Sequence, residues 1–322
     1  MSSPAPAEPY GVLLLTYGSP ASLGDVPRYV SAVRGGREVS DEAVTEFKRR
    51  YSVIGGSPLI GITEAQAAAL EARLAGRALV RAAMRFSEPS IAAQLADLRS
   101  AGVSRVVGMT MSPQYSPLLM GGYARALDAA LAELGAADVT AVMAGAWHTE
   151  PAFVAALAGR IEQGLARFAD DERASVPLLF TAHSLPRRVA EQEPAYLAQL
   201  EETAVAVAEA AGIERARWTF CWQSAGHEPG EWMKPDFAEL MPRLAADGHR
   251  SVLVVPVQFL ADHLEILYDV DIAAREQAEQ AGLRFARIAS LNDDARLIEA
   301  FAQVAQRAVP GAATGRLAEV GN

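Results

Sequence analysis

One feature constrains the fold more than any other. Short, largely apolar runs alternate with longer amphipathic stretches along almost the entire chain. The runs are Val12–Thr16, Leu79–Met84, Val106–Ser112, Val139–Ala144, Leu178–Ala182, Trp218–Trp222 and Val252–Val257. They are mostly β-branched or apolar and bounded by Gly, Pro or polar turns, as expected of strands covered on both faces. Between them, Ile62–Leu74, Ile91–Leu98, Ala124–Leu134, Glu150–Phe168 and Tyr196–Ala211 are rich in Ala, Leu, Glu and Arg in helical patterns. Strand and helix in alternation predict an α/β fold whose parallel sheets are flanked by helices. Strand–helix units fill the first half and resume after residue 175, and the acidic stretch Phe168–Ala174 marks the boundary. The chain has 322 residues, 51% of them hydrophobic, enough for two cores. The expected architecture is two Rossmann-like domains, 10–170 and 171–309, facing each other across a cleft. The last helix can pack back on the first domain, and 1–9 and 310–322 read as flexible ends.

Composition removes several classes of function. A formal net charge of −10 disfavours nucleic acid, which needs a basic stripe, and docking to an anionic membrane. A few convergent arginines can still hold an anionic ligand in such a chain. The longest apolar run, Val252–Leu260, is far below the ~20 residues of a membrane span. The first, Gly11–Leu15, lacks the basic flank of a signal peptide. The single cysteine, Cys221, excludes a disulfide framework and a four-thiolate iron–sulfur cluster, and fits a reducing cytoplasm. No GxGxxG, Walker, GxSxG or HExxH pattern occurs.

Ligands in open α/β sheets bind outside the carboxyl ends of the strands, so the residues there are the candidates. Tyr17 follows the first run, in Thr16-Tyr17-Gly18-Ser19-Pro20, where a plain turn is the competing reading. Met111–Ser116, followed by Gly121-Gly122-Tyr123, reads as a proline-rich loop lined by aromatics. His183 stands at the tip of the fifth run, either as packed core or as a ligand or base. Gln223 and Ser224 could hydrogen-bond a ligand, while His227 reads as solvated and Cys221 as a small buried hydrophobe. The densest segment is Ala261–Asp271. On an α-helix, about 100° per residue puts Asp262, Glu265, Asp269 and Glu276 in a roughly 60° arc, with His263 facing elsewhere. Such a row is either a solvated face or, beside a cleft, a path for cations.

Together these segments resemble the ferrochelatase family over nearly the whole chain. The resemblance rests on Leu13–Pro20, Arg50–Leu59, Ser112–Ser116, Ala182–Pro186, Trp222–Ser224 and Asp262–Asp269, in the family's order and spacing. It implies two Rossmann-like domains enclosing a porphyrin cleft, and an enzyme that inserts Fe2+ into the ring. His183 and Glu265 take the family's metal site, with Asp269 as a relay one turn on. The tyrosine in the first loop is most like the branch that uses coproporphyrin III. That likeness assigns Tyr17 as the axial ligand of iron in the product. It also assigns Arg34, Arg50, Tyr51, Ser57 and Tyr123 to porphyrin binding, with Arg85 as a further propionate partner. Forked arginine–carboxylate pairs suit a ring with four propionates.

The resemblance further implies no cofactor beyond the substrate Fe2+, and it leaves an outer divalent-cation site open. The implied partners are the porphyrin, Fe2+ and, transiently, haem-pathway enzymes that take the product; a monomer is expected. Two departures stand out. The branch often carries a second basic residue after Arg34 and a carboxylate two positions after Asp271, where this chain has Gly35 and Ala273. Competing readings are a protoporphyrin IX ferrochelatase, a cobalt or nickel tetrapyrrole chelatase, and a haem or siderophore binding module.

Overall fold

A computed structural model describes residues 8–226 and 230–309. Its frame is two four-stranded parallel sheets. The first holds β1 (Tyr10–Thr16), β2 (Ala78–Met84), β3 (Arg105–Thr110) and β4 (Thr140–Met143), in the order β2-β1-β3-β4. The second holds β5 (Leu178–His183), β6 (Trp218–Gln223), β7 (Ser251–Pro256) and β8 (Arg284–Arg287), in the matching order β6-β5-β7-β8. The expected α/β class is therefore the observed one. Seven strands coincide with the apolar runs. The eighth, β8, pairs only with β7 at the sheet edge and begins and ends on arginine, which hides it from a hydrophobic pattern.

Between β1 and β2 the chain forms α1 (Val26–Val33), α2 (Asp41–Val53) and α3 (Leu59–Leu74). Then α4 (Ile91–Ser100) leads to β3, α5 (Pro117–Glu133) to β4, and α6 (Pro151–Leu165) with the short α7 (Asp170–Arg173) to β5. In the second half α8 (Arg187–Ala190) and α9 (Pro194–Ala210) precede β6, and α10 (Phe237–Ala246) precedes β7. A π-helix (Glu265–Ala274) running into α11 (Arg275–Gln280) leads to β8, and α12 (Ala295–Ala308) follows.

Local chemistry sets one boundary that matters for the cleft. The Ser116 hydroxyl accepts a hydrogen bond from the Leu119 N–H at 3.0 Å, and Pro117 occupies the first turn. Cap and proline together start α5 at Pro117, ahead of the expected Ala124. Gly121, Gly122 and Tyr123 therefore lie inside a helix, not in a loop.

The inner strands are buried on both faces, with Leu13, Leu14, Leu15, Leu179 and Phe180 all at 0% exposure. Each such side chain removed from water is worth about 1.5–3 kcal/mol. One continuous core, including Leu14, Leu70, Phe153, Phe180, Leu253 and Phe301, runs beneath both sheets. The helix α12 lies against α3 and α6, so the end of the chain packs on helices of the first half. A small separate core joins α1 and α2 through Val26, Val30 and Tyr51. Leu264, immediately before the π-helix, packs against it. The α1–α2 excursion thus reaches across to the second half and roofs the space between the sheets.

Candidate active site

The carboxyl ends of the central strands converge on a cavity of about 510 Å3. Tyr17 enters it after β1, Met111 after β3, His183 from the tip of β5, and Gln258 after β7. Much of the wall is apolar, from Val30, Phe47, Leu119, Met120 and Phe259. Tyr17, Arg34, Tyr51, Ser57 and Tyr123 line it from the first half, and His183, His263 and Glu265 from the second. All of these but His263 are residues that the sequence assigned to the site, and they share one space.

On the first-half wall, Gly18 at φ +83° turns the chain directly after Tyr17. The backbone carbonyl of Gly18 accepts a 2.9 Å hydrogen bond from the Tyr29 hydroxyl. The Tyr17 ring meets Phe86 edge-on at 5.1 Å and lies 5.8 Å from Tyr123. Burial pushes the Tyr17 phenol up; Arg85 pulls it down and Glu265 pushes it further up.

On the second-half wall, His183 pairs in register with Gln223 of β6. Its backbone N–H donates to Gln258 Oε1 at 2.7 Å, and Gln258 Nε2 donates to the Tyr196 hydroxyl at 2.6 Å. The His183 Nδ1 lies 2.5 Å from the Ser184 carbonyl, which only accepts. Nδ1 therefore carries a proton toward that carbonyl, and Nε2 is the nitrogen that faces the cavity. That Nε2 is 3.7 Å from Glu265 Oε1. The other Glu265 oxygen is 3.5 Å from His263 Nε2, and His263 Nδ1 lies 2.9 Å from the Ala261 carbonyl.

A carboxylate between two imidazoles stays ionised. Burial alone would raise the Glu265 pKa, but His183 and His263 hold it down at about 2. Burial alone would lower that of His263; Glu265, the Ala261 carbonyl and Asp269 outweigh it and raise the group above its ordinary value.

The helical projection of the carboxylates needs correction. Residues 265–274 wind as a π-helix, with i→i+5 bonds and a wider turn than the assumed α-helix. His263, expected to face elsewhere on that helix, lies in the turn before it and meets Glu265. Asp262 lies before the helix and bonds Ser290 at 2.7 Å, Arg287 at 3.0 Å and Asn292 at 3.1 Å instead. Glu276 falls in α11 and is exposed. Only Asp269 stays beside Glu265, whose charge helps burial raise its pKa, against a Ser224 hydrogen bond, Arg50 and His183.

The arginines divide. Arg50 does not line the cavity. Its guanidinium bonds Glu46 at 2.8 Å and Asp269 at 3.5 Å and lies 5.0 Å from the Tyr268 ring centroid. Arg85 stacks on Phe86 at 4.6 Å and Tyr123 at 5.6 Å. It sits directly over Gly122, where an added Cβ would lie 2.2 Å from Nη1, so only glycine admits this packing. Neither Arg34 nor Arg85 pairs with a carboxylate among the described residues. No group of three or more His, Cys, Asp or Glu side chains there is arranged to hold a metal. Asp271, where an outer cation site was left open, is taken up by Arg287. Cys221 is fully buried, and burial pushes its thiol well up. His227 lies outside the described residues.

The model of the family described as Ferrochelatase matches residues 9–309. The chain belongs to the ferrochelatase family. A ferrochelatase of Deinococcus radiodurans is 36% identical over 93% of this chain and 96% of its own. A coproporphyrin III ferrochelatase of Geobacillus thermodenitrificans is 35% identical over 91% and 94%. Among solved structures, SirB from Bacillus subtilis with Fe3+ superimposes with a TM-score of 0.59 at 10% identity, covering 92% of this chain and 96% of that one, a likeness of fold alone. As a ferrochelatase the chain is a metal chelatase of haem biosynthesis whose substrates are iron and a porphyrin. Among the described residues no helix is long and apolar enough to cross a membrane.

Strand-end reasoning missed Gln258, Tyr196 and Tyr29. Gln258 carried a signal, since it stands directly after the apolar run Val252–Val257. Tyr196 and Tyr29 sit on helices and carried none.

Proposed function

We propose that this ferrochelatase inserts Fe2+ into coproporphyrin III in the cytoplasm, with the ring held between Tyr17 and His183. The observation that carries the substrate choice is Arg34, a cation on the lining of a cavity with a largely apolar wall, with Arg85 behind that lining on the Tyr123 ring, neither paired with a carboxylate among the described residues. Apolar contact suits the ring, and free guanidinium groups suit its propionates. The name of the Geobacillus relative supports the same branch. In this reading Tyr51, Ser57 and Tyr123 contact the macrocycle. Arg50 joins them when a propionate replaces Asp269 on its guanidinium. The units 10–170 and 171–309 supply the two walls, a monomer suffices, and haem-pathway enzymes take the product.

Metal insertion must remove two pyrrole protons while a dication enters. Glu265, ionised at any working pH, attracts Fe2+ to the ring face. His183 Nε2, when unprotonated, ligates the ion or accepts a pyrrole proton, one at a time. Asp269, one step along the π-helix, extends the negative path outward. A loose site of this kind releases the ion to the ring, which a closed cage of ligands would retain.

The test is kcat/KM for coproporphyrin III against protoporphyrin IX in the same detergent. Two extra propionates paired with arginine, at about 1.5–3 kcal/mol each, predict a preference of about tenfold or more for coproporphyrin. Equal values, or a preference for protoporphyrin, would remove the substrate assignment and leave the ferrochelatase.

A further inference from the structure

We infer that Arg287 is a positioning residue that fixes the winding of the π-helix and so aims Glu265 at His183. The inference rests on the roles proposed for those two residues. Arg287 ends the edge strand β8, and its side chain is only 12% exposed. Its Nε and Nη2 donate to the two carboxylate oxygens of Asp271, each at 2.7 Å. The same Nη2 donates to Asp262 Oδ1 at 3.0 Å. Nη1 donates to the Ile288 carbonyl at 3.0 Å and to the Ser290 hydroxyl at 3.2 Å. One guanidinium therefore grips the chain before the π-helix and again within it, with Glu265 between the two grips.

A π-turn is rare because it is less favourable than the α-turn, so a stretch of this length needs something to hold it. Asp271 stands six positions after Glu265. An α-helix turns about 100° per residue and a π-helix about 82°, so rewinding would turn one side chain relative to the other by about 110°. With Asp271 held in the fork, that rotation would swing Glu265 away from His183. With Glu265 held, it would pull Asp271 out of the fork. The clamp closes on one winding only. Arginine is required because its planar fork meets both oxygens of Asp271 and still has a donor for Asp262; lysine offers a point charge.

The test compares Arg287→Met, Arg287→Lys and Asp271→Asn with the parent enzyme. It uses amide hydrogen exchange over residues 265–274, insertion rate at saturating porphyrin, and porphyrin affinity by fluorescence quenching. For Arg287→Met the expectation is exchange about tenfold faster in 265–274, with other segments within about twofold. Turnover should fall about tenfold or more while porphyrin Kd stays within about twofold. Arg287→Lys should recover only part of the turnover. If Arg287→Met does not fold, Asp271→Asn keeps the Asp262 grip and should show the same local pattern at about threefold. Unchanged exchange in 265–274, or a rise spread evenly over the chain, would overturn the clamp. Local loosening with full turnover would leave the clamp standing and remove Glu265 from the proposed mechanism.

Discussion

The two halves of the molecule are built on one topology and furnished differently. In each sheet the second strand lies outside the first, and the third and fourth follow on the other side. The first strand of each half ends at the cavity. In one half that end carries Tyr17, and in the other His183, so equivalent positions present a phenol and an imidazole to the same space. The connections differ more. After β1 the chain spends α1 and α2 on a roof with its own small core of Val26, Val30 and Tyr51. After β7 it forms the π-helix, which brings Glu265 and Asp269 to the site. Aromatic faces and Arg34 gather on one wall, with Arg85 stacked behind Tyr123, and imidazoles and carboxylates on the other. A duplicated scaffold supplies two facing sets of strand ends, and the connections decide what each can do. On the proposed reading, the first half holds the ring and the second handles the metal and protons.

The largest effect expected of that division is at His183. His183→Ala should lower iron insertion by about 10²-fold or more, the scale of losing a positioned acid–base group, with porphyrin affinity kept within a few fold. Insertion rate and fluorescence quenching measure the two. A variant retaining a tenth of the parent turnover would break the comparison at its centre.

Glu265→Gln comes next, and here pH gives a second readout. The Glu265 carboxyl titrates at about 2 in the fold against an ordinary 4.5. Its contribution to stability is complete above about pH 4.5 and is lost as pH falls toward 2. His263 is raised above 6.5, so its contribution is complete below that pH and is lost as pH climbs through the higher folded value. The stability gap between parent and Glu265→Gln should therefore be widest from about pH 4.5 to 6.5 and close on both sides. Urea midpoints across pH test this. A constant gap would mean that the two histidines do not act through Glu265. Insertion should fall by about tenfold or more in the variant.

What the sequence disclosed follows the same contrast. Periodicity finds inner strands, because Leu13–Leu15 or Leu178–Phe180 must be apolar on both faces. It therefore found the strand ends, and with them Tyr17 and His183. It missed β8, whose ends are arginines, and the roof helices α1 and α2, whose mixed sequence covers a ligand space rather than a core. It misjudged Asp262, Glu276 and His263 because one α-helix was assumed throughout: Asp262 and His263 precede the helix, and the π winding of 265–274 takes Glu276 out of line. Nothing in residues 265–274 announces that winding. It becomes intelligible only when Arg287, far along the chain, is seen gripping Asp262 and Asp271.

The arginines of the first wall sharpen the comparison from the other side. Arg34→Ala and Arg85→Ala should each weaken coproporphyrin III binding by about tenfold, the scale of one charge-assisted pair. Turnover at saturating porphyrin should change little, since neither group touches the metal site. The mirror pattern to His183→Ala, loss in Kd with kcat kept, is the signature sought. Arg85→Ala also removes packing on Phe86 and Tyr123, so Arg85→Gln, which keeps part of the stem, separates charge from contact.

The smallest effect on rate is expected at Tyr17, although the proposed reading makes it the axial ligand of iron in the product. Burial raises its pKa, Arg85 opposes that and Glu265 adds to it, so in the free enzyme the phenol keeps its proton at neutral pH. A protonated phenol is a poor ligand for entering Fe2+. Ferric iron in an oxidised product is a harder acid and can displace that proton, as in haem proteins with an axial tyrosine. Tyr17→Phe should therefore metalate the ring within about threefold of the parent rate, because the stacking on Phe86 and Tyr123 survives the loss of one oxygen. The coprohaem complex of the variant should lose the absorption bands of a phenolate-bound ferric haem. In the parent enzyme those bands should grow as pH rises, since ligation releases the phenol proton. A large loss of turnover in Tyr17→Phe would put proton or metal handling on the first wall as well, and the division between the halves would fail there.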